Sequence, residues 1–285
     1  MVTKTSGTTP TPTSSAWRSP RYPHFVTDYE AAGLLVEQDG GVLTITLNRP
    51  EARNAQMPAM WRGLAQIGAT IDPSVRVIVL KGAGDSFSAG LDRRMLTPDG
   101  IEGELSLVDV GGLDDAGFDA QISEYQRGFT WWNNPQFISI AAVQGHAIGA
   151  GFQLALATDI RIVTDDVQFN MKETALTLVP DLGGTKPLVE AVGYQRALEM
   201  CATSRIVGGA EAQAIGLALT CVPRAELDET VADLVDALLV PQHGAVIALK
   251  DLLTGASERS YVDQVARERK LQRGRFAALI EMIRG

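Results

Sequence analysis

Apolar positions along this chain follow two rhythms, short continuous runs and longer stretches at helical spacing, and their alternation predicts the architecture. Residues 34–37 and 42–47 are β-type runs on either side of Asp39-Gly40-Gly41, a hairpin signal. A polar turn at 48–55 leads into an amphipathic helix near 59–71. Residues 75–80 are apolar apart from Arg76 and read as a buried strand. The centre of the chain is 137–163, FISIAAVQGHAIGAGFQLALATDIRIV. It reads as a strand at 138–143, a tight passage through Gly145, Gly149 and Gly151, a helical turn to Thr158, and a strand at 159–163.

Around this centre the pattern is less uniform. Residues 97–122 are acidic, glycine-containing and poorly periodic, and read as a long surface loop, a mobile cover over a site. Helical character returns at 121–132. After the centre come a short β run at 167–170, an ordered turn at 173–178, punctuation at Pro180-Asp181-Leu182-Gly183-Gly184, and a helix to about Ala202. Residues 219–222 are one more strand, and 227–240, 244–253 and 257 to the end are helical. Strands alternating with helices, then a helical tail, indicate an α/β protein with a largely parallel sheet. The expected division is a disordered tail at 1–25, rich in Ser, Thr and Pro, a core at 26–225 and a helical region at 226–285.

Composition narrows the function. A chain of 285 residues, 45% hydrophobic and 21% charged, can bury a large core. Its formal charge of −9 argues against nucleic acid or an anionic membrane as the main partner, while leaving room for an anionic small molecule at a local basic cluster. No apolar run approaches the roughly 18 to 20 residues of a membrane span, and the N-terminal stretch has no apolar segment of the secretory type. Cys201 and Cys221 have no metal-ligand or redox spacing and read as reduced thiols of a cytoplasmic protein.

Two small-residue turns follow strands, at 84–94 and at 145–151. A strand feeding such a turn into a helix leaves the first helical N–H groups unpartnered, and those donors suit an anion or a developing oxyanion. A plain β-turn-α packing unit is the other reading. Residues 84–88 lack the closing glycine of a nucleophile elbow, and no phosphate-loop lysine follows. His146 reads as a turn-packing residue, and the histidines form no triad or metal set.

Four separated pieces resemble one family: Leu47-Asn48-Arg49-Pro50 with Arg53-Asn54-Ala55, Phe87-Ser88-Ala89-Gly90-Leu91-Asp92, the turn-helix from Gly145 to Asp159, and the stretch from Phe169 to Gly184. In this order and spacing they are similar to the enoyl-CoA hydratase/isomerase (crotonase) family. The resemblance implies a spiral of ββα units, a homotrimer or dimer of trimers, and an acyl-CoA thioester as substrate. Coenzyme A then enters only as part of the substrate, with no separate cofactor and no metal.

By the same resemblance the backbone N–H groups of Leu91 and Ala150 form an oxyanion hole for the thioester enolate. Ala89, Asp92 and Arg94 fall where the family contacts CoA, with a solvated arginine the other reading of Arg94. Glu173 falls on a catalytic glutamate of hydratases and isomerases. Gln153 stands where hydratases place a second glutamate; an amide exchanges no proton but can orient a water or the substrate. Asp181 falls on a paired carboxylate of dienoyl-CoA isomerases, with a helix N-cap as its alternative. Lys270, Arg273 and Arg275 read as phosphate contacts or as the solvated face of a helix. The expected activity is double-bond isomerisation or hydration of an enoyl-CoA; the rival reading is a non-catalytic acyl-CoA-binding homologue.

Overall fold

A computed structural model describes residues 28–284. The expected N-terminal tail at 1–25 and His24 lie outside the described residues. Six strands form one sheet in the order β1-β2-β3-β4-β6-β9: β1 (Leu34–Asp39), β2 (Val42–Leu47), β3 (Val77–Gly82), β4 (Ile138–Val143), β6 (Ile160–Thr164) and β9 (Thr220–Val222). The β1–β2 hairpin is antiparallel and each later pairing is parallel. A smaller sheet, ordered β5-β7-β8, pairs β5 (His146–Ile148) with β7 (Gln168–Asn170) and β7 with β8 (Val207–Gly208).

The unbroken apolar runs of β3 and β4 follow from burial on both faces. Val77, Val79, Ile140 and Ala142 point to one side, where Leu227, Val231 and Val235 of α8 (Leu227–Leu239) cover them. Ile78, Leu80, Ala141 and Val143 point to the other side, into the main core. There they join Trp61 and Leu64 of α1 (Pro58–Ala69) and Phe152 and Leu154 of α4 (Ala150–Ala157). A one-residue slip in either strand would exchange these two sets, so the register is strongly specified.

Three expectations are corrected. The segment 97–122 is not a structureless loop: it carries α2 (Leu107–Gly111) and the start of α3 (Asp115–Gln126). Ser106 and Asp109 form a capping box on α2, and Asp114 caps α3 by accepting from the Gly117 N–H. Only Val110 and Tyr125 of these helices are buried, so their apolar periodicity is weak and the caps were the available signal. The helix expected at 121–132 is the end of α3, which stops at Gln126. The single helix expected up to Ala202 is two, α5 (Thr185–Val192) and α6 (Tyr194–Thr203), broken at Gly193.

The glycine passage after β4 contains the short strand β5, and a further helix, α7 (Gly209–Ala214), follows β8. The C-terminal part is helical, with α8, α9 (His243–Leu253) and α10 (Tyr261–Arg284). No single helix among the described residues is long and apolar enough to cross a membrane.

Candidate active site

The site begins with two bends held side by side by main-chain pairing. Phe87 N–H donates to the Gln144 carbonyl (2.7 Å), Ser88 N–H to His146 (2.8 Å), and Ile148 N–H to Ser88 (3.0 Å). This short ladder carries the chain after β3 alongside β5, so the bend at Leu91 and the bend at Ala150 finish next to each other. A Cβ added to Gly90 would stand 2.4 Å from the Ile148 carbonyl oxygen and 3.6 Å from the Ala150 nitrogen. That approach, with φ +85°, admits only glycine.

Both amides left over at the bends are spare donors. On the outer edge, Gln56 N–H donates to the Gly90 carbonyl and Asp92 N–H donates to the Gln56 carbonyl, each at 2.7 Å. In parallel pairing the residue between those two bonded neighbours turns its own amide the other way, and here that residue is Leu91. Ala150 is the first residue of α4, where an N–H has no intrahelical acceptor and the helix dipole presents its positive end. An alanine keeps its N–H, so the side chain at 150 takes no donor from the bend.

Glu173 opens a short helical turn after β7, and its carboxylate stands over the second bend. An added Cβ on Gly149 would meet Glu173 Oε1 at 3.5 Å. Oε1 accepts a hydrogen bond from Gln153 Nε2 at 2.7 Å, while Oε2 is buried without a hydrogen-bond partner. Burial pushes the Glu173 carboxyl up from its ordinary range; the hydrogen bond from Gln153 opposes this and the charge of nearby Asp181 adds to it. Gln153 is 1% exposed on α4. Its Oε1 accepts from the backbone N–H groups of Leu182 (3.0 Å) and Gly184 (3.2 Å).

Asp181 begins the loop those amides belong to, and its carbonyl accepts from Gln126 Nε2 on α3 at 2.6 Å. Although Asp181 is exposed as a residue, the protein around its carboxyl displaces enough water to push it up as well. Glu173 and Gln153 are thus joined by a hydrogen bond beside the Gly149–Ala150 bend, with the charge of Asp181 near enough to act on Glu173.

The residues expected to hold CoA flank the first bend. Ala89 N–H donates to the Arg53 carbonyl at 2.8 Å, which fixes the strand ahead of the bend. Asp92 is buried behind Arg94: its carboxylate accepts from Arg94 Nη2 at 2.9 Å and Arg49 Nη2 at 3.0 Å. The Arg94 guanidinium beside it holds this carboxyl far below the usual range. Arg94 itself is exposed, so Asp92 orients a cation at the surface. His146 packs in β5 with Nδ1 3.0 Å from Ser86 Oγ, as a turn-packing histidine would.

Sequence reasoning missed the Leu182 and Gly184 amides, which hold Gln153. Their signal was the Pro-Asp-Leu-Gly-Gly punctuation at 180–184, but nothing in it names α4 as the partner.

Comparison with known proteins gives the family of the chain. Residues 37–280 match the family model described as enoyl-CoA hydratase/isomerase. A probable enoyl-CoA hydratase of Rhizobium meliloti is 30% identical over 246 residues, covering 86% of this chain and 90% of that protein. Carnitinyl-CoA dehydratase of Escherichia coli is 34% identical over 227 residues, covering 79% and 81%. A crystal structure of a putative enoyl-CoA hydratase from Thermobifida fusca in complex with CoA superposes with a TM-score of 0.85 at 46% identity, covering 89% of this chain and 96% of that one. The acetoacetyl-CoA complex from the same organism gives 0.84 at 47%, covering 88% and 97%. The fold is therefore the crotonase fold. This chain belongs to the enoyl-CoA hydratase/isomerase family.

Proposed function

We propose that the protein binds an acyl-CoA thioester, stabilises its enolate with the N–H groups of Leu91 and Ala150, and moves a proton on the acyl chain with Glu173. The observation that carries this reading is the Glu173 carboxylate beside the Ala150 bend, with Oε2 buried and unpartnered. Removing a proton next to a thioester carbonyl puts negative charge on the carbonyl oxygen. Two fixed amides aimed at that oxygen stabilise the charge without reorganisation, and losing one such donor typically costs about 10²- to 10³-fold in rate. A carboxylate whose proton affinity is raised by burial is suited to take the proton and return it.

The reaction we assign is double-bond isomerisation of an enoyl-CoA, with hydration the alternative reaction at the same site and Asp181 the second acid available to either. Protein groups carry the proton transfer, and coenzyme A enters as part of the substrate. Support for the thioester comes from the relatives whose structures hold CoA and acetoacetyl-CoA. Arg94, oriented by Asp92, is placed to meet a phosphate of the nucleotide, with Ala89 offering main-chain contact.

A homotrimer or dimer of trimers is part of the same reading. It is supported by α10, which buries none of its residues while exposing Phe276, Leu279, Ile280, Met282 and Ile283. Light scattering tests it, with a monomer as the contrary result.

The decisive test of function compares the wild-type protein and Glu173→Gln on matched 2-enoyl- and 3-enoyl-CoA esters. Turnover that disappears in the variant while acyl-CoA binding persists supports the assignment. Binding without turnover in the wild-type protein would instead make it a non-catalytic acyl-CoA-binding homologue.

A further inference from the structure

An amide side chain offers two acceptor lone pairs and two N–H donors. In Gln153 both lone pairs are occupied, by Leu182 N–H and Gly184 N–H, and one donor is given to Glu173 Oε1. The orientation has no alternative: flipping the amide would set its NH₂ against two backbone N–H groups and its oxygen against a carboxylate. The side chain is fully buried, so water offers no exchange of partners.

We infer that Gln153 is a positioning latch that ties the proton-carrying carboxylate of Glu173 to the loop at 182–184. The inference rests on the reading of Glu173 as proton carrier. Gly184 is the other half of the latch. A Cβ there would fall 2.7 Å from Gln153 Cγ and 3.0 Å from its Cβ, so the loop reaches Gln153 only because residue 184 has no side chain.

The latch has a chemical consequence. Oε1 of Glu173 is held by the amide, which leaves Oε2 as the oxygen free to react. In isomerisation a C–H bond breaks, its electron pair moves into the thioester as the enolate, and an O–H bond forms at Oε2. The O–H bond then breaks as a C–H bond forms at the other carbon, and nothing is gained or lost overall. Water addition also requires an acceptor for the proton of the attacking water. Gln153 has no lone pair left for that water, so this side chain favours proton transfer between carbons over hydration.

The test uses the full-length protein with a 2-enoyl-CoA and the matching 3-enoyl-CoA in oxygen-18-labelled water. Isomerisation is followed as product ratio and hydration as label in the 3-hydroxyacyl product. Hydration roughly 100-fold or more slower than isomerisation is expected; equal rates would overturn the inferred preference. Glu173→Gln is expected to lose both reactions; retention of both would instead refute the proton-carrier reading, a separate failure. Gln153→Met removes the hydrogen bond that favours the Glu173 carboxylate, so the acidic limb of its kcat–pH profile should move to higher pH with KM changed less than about threefold. Gly184→Ala, which leaves Gln153 in the sequence but displaces it, should move the same limb the same way. Folded variants with an unmoved limb would overturn the latch. If either variant fails to fold, the other gives the same readout.

Discussion

Two carboxylates at opposite ends of α4 are held differently, and the difference separates a structural acid from the one we propose to be reactive. Asp159 follows the helix, and its Oδ2 accepts from Ser139 N–H (2.7 Å), Ser139 Oγ (2.8 Å) and Lys250 Nζ (2.7 Å). Lys250 is 6% exposed and also donates to the Phe137 carbonyl at 2.8 Å. Three donors converge on this one oxygen, and the group pins α9 to β4. Glu173, at the helix's other end, has one side-chain donor on Oε1 and none on Oε2. A half-buried carboxylate gripped by three donors, one of them a cation, acts as a fastener; one with a buried oxygen that accepts no hydrogen bond is suited to the proton-carrying role we propose.

The sharpest way to break this contrast is to neutralise each acid system. Glu173→Gln should reduce kcat by about 10²- to 10⁴-fold with the fold intact, as steady-state turnover and circular dichroism would show. Lys250→Met should leave turnover of the folded protein within a few-fold but cost about 3 kcal/mol in a denaturant titration, because it strands the Asp159 carboxylate. If the two phenotypes were exchanged, the assignment of roles would be reversed.

Next in size is the first donor of α4. Proline is accepted at the first position of a helix but has no N–H, so Ala150→Pro should lose roughly 10²- to 10³-fold in kcat. Unchanged turnover would remove Ala150 from the oxyanion hole.

Elements buried on two faces were legible in the sequence, and so were the edge hairpin of β1 and β2 and the helices α8 and α9. The run at 138–143 is β4 to the residue, because a strand covered on both sides is apolar throughout. Helix α2 and the first half of α3 were illegible because these helices lie on the surface with one buried residue each. At the site, Glu173, Gln153 and Asp181 were found only through resemblance to a family. Nothing local shows that residues 153 and 184 touch, since the contact joins an apolar helix to a distant loop.

A smaller effect sharpens the contrast through pH. Folding raises the proton affinity of Glu173, so the folded state binds this proton more tightly than the unfolded state. Its contribution to stability therefore falls as pH rises from the unfolded value towards the raised folded value, and stays lost above it. Glu173→Gln should accordingly be the more stable protein at neutral pH, and the difference should vanish in acid, as thermal melts across pH would record. The smallest expected change is Arg94→Gln, a rise of a few-fold in KM for acyl-CoA with kcat retained, since the arginine is exposed and partly engaged by Asp92.

Where the thioester oxygen sits decides the matter most directly. A crystal structure with acetoacetyl-CoA should place that oxygen about 2.7 to 3.1 Å from both the Leu91 and Ala150 nitrogens, with Glu173 Oε2 facing the carbon that bears the mobile proton. A thioester oxygen bound away from these two amides, or a Glu173 carboxylate turned from the acyl chain, would contradict it.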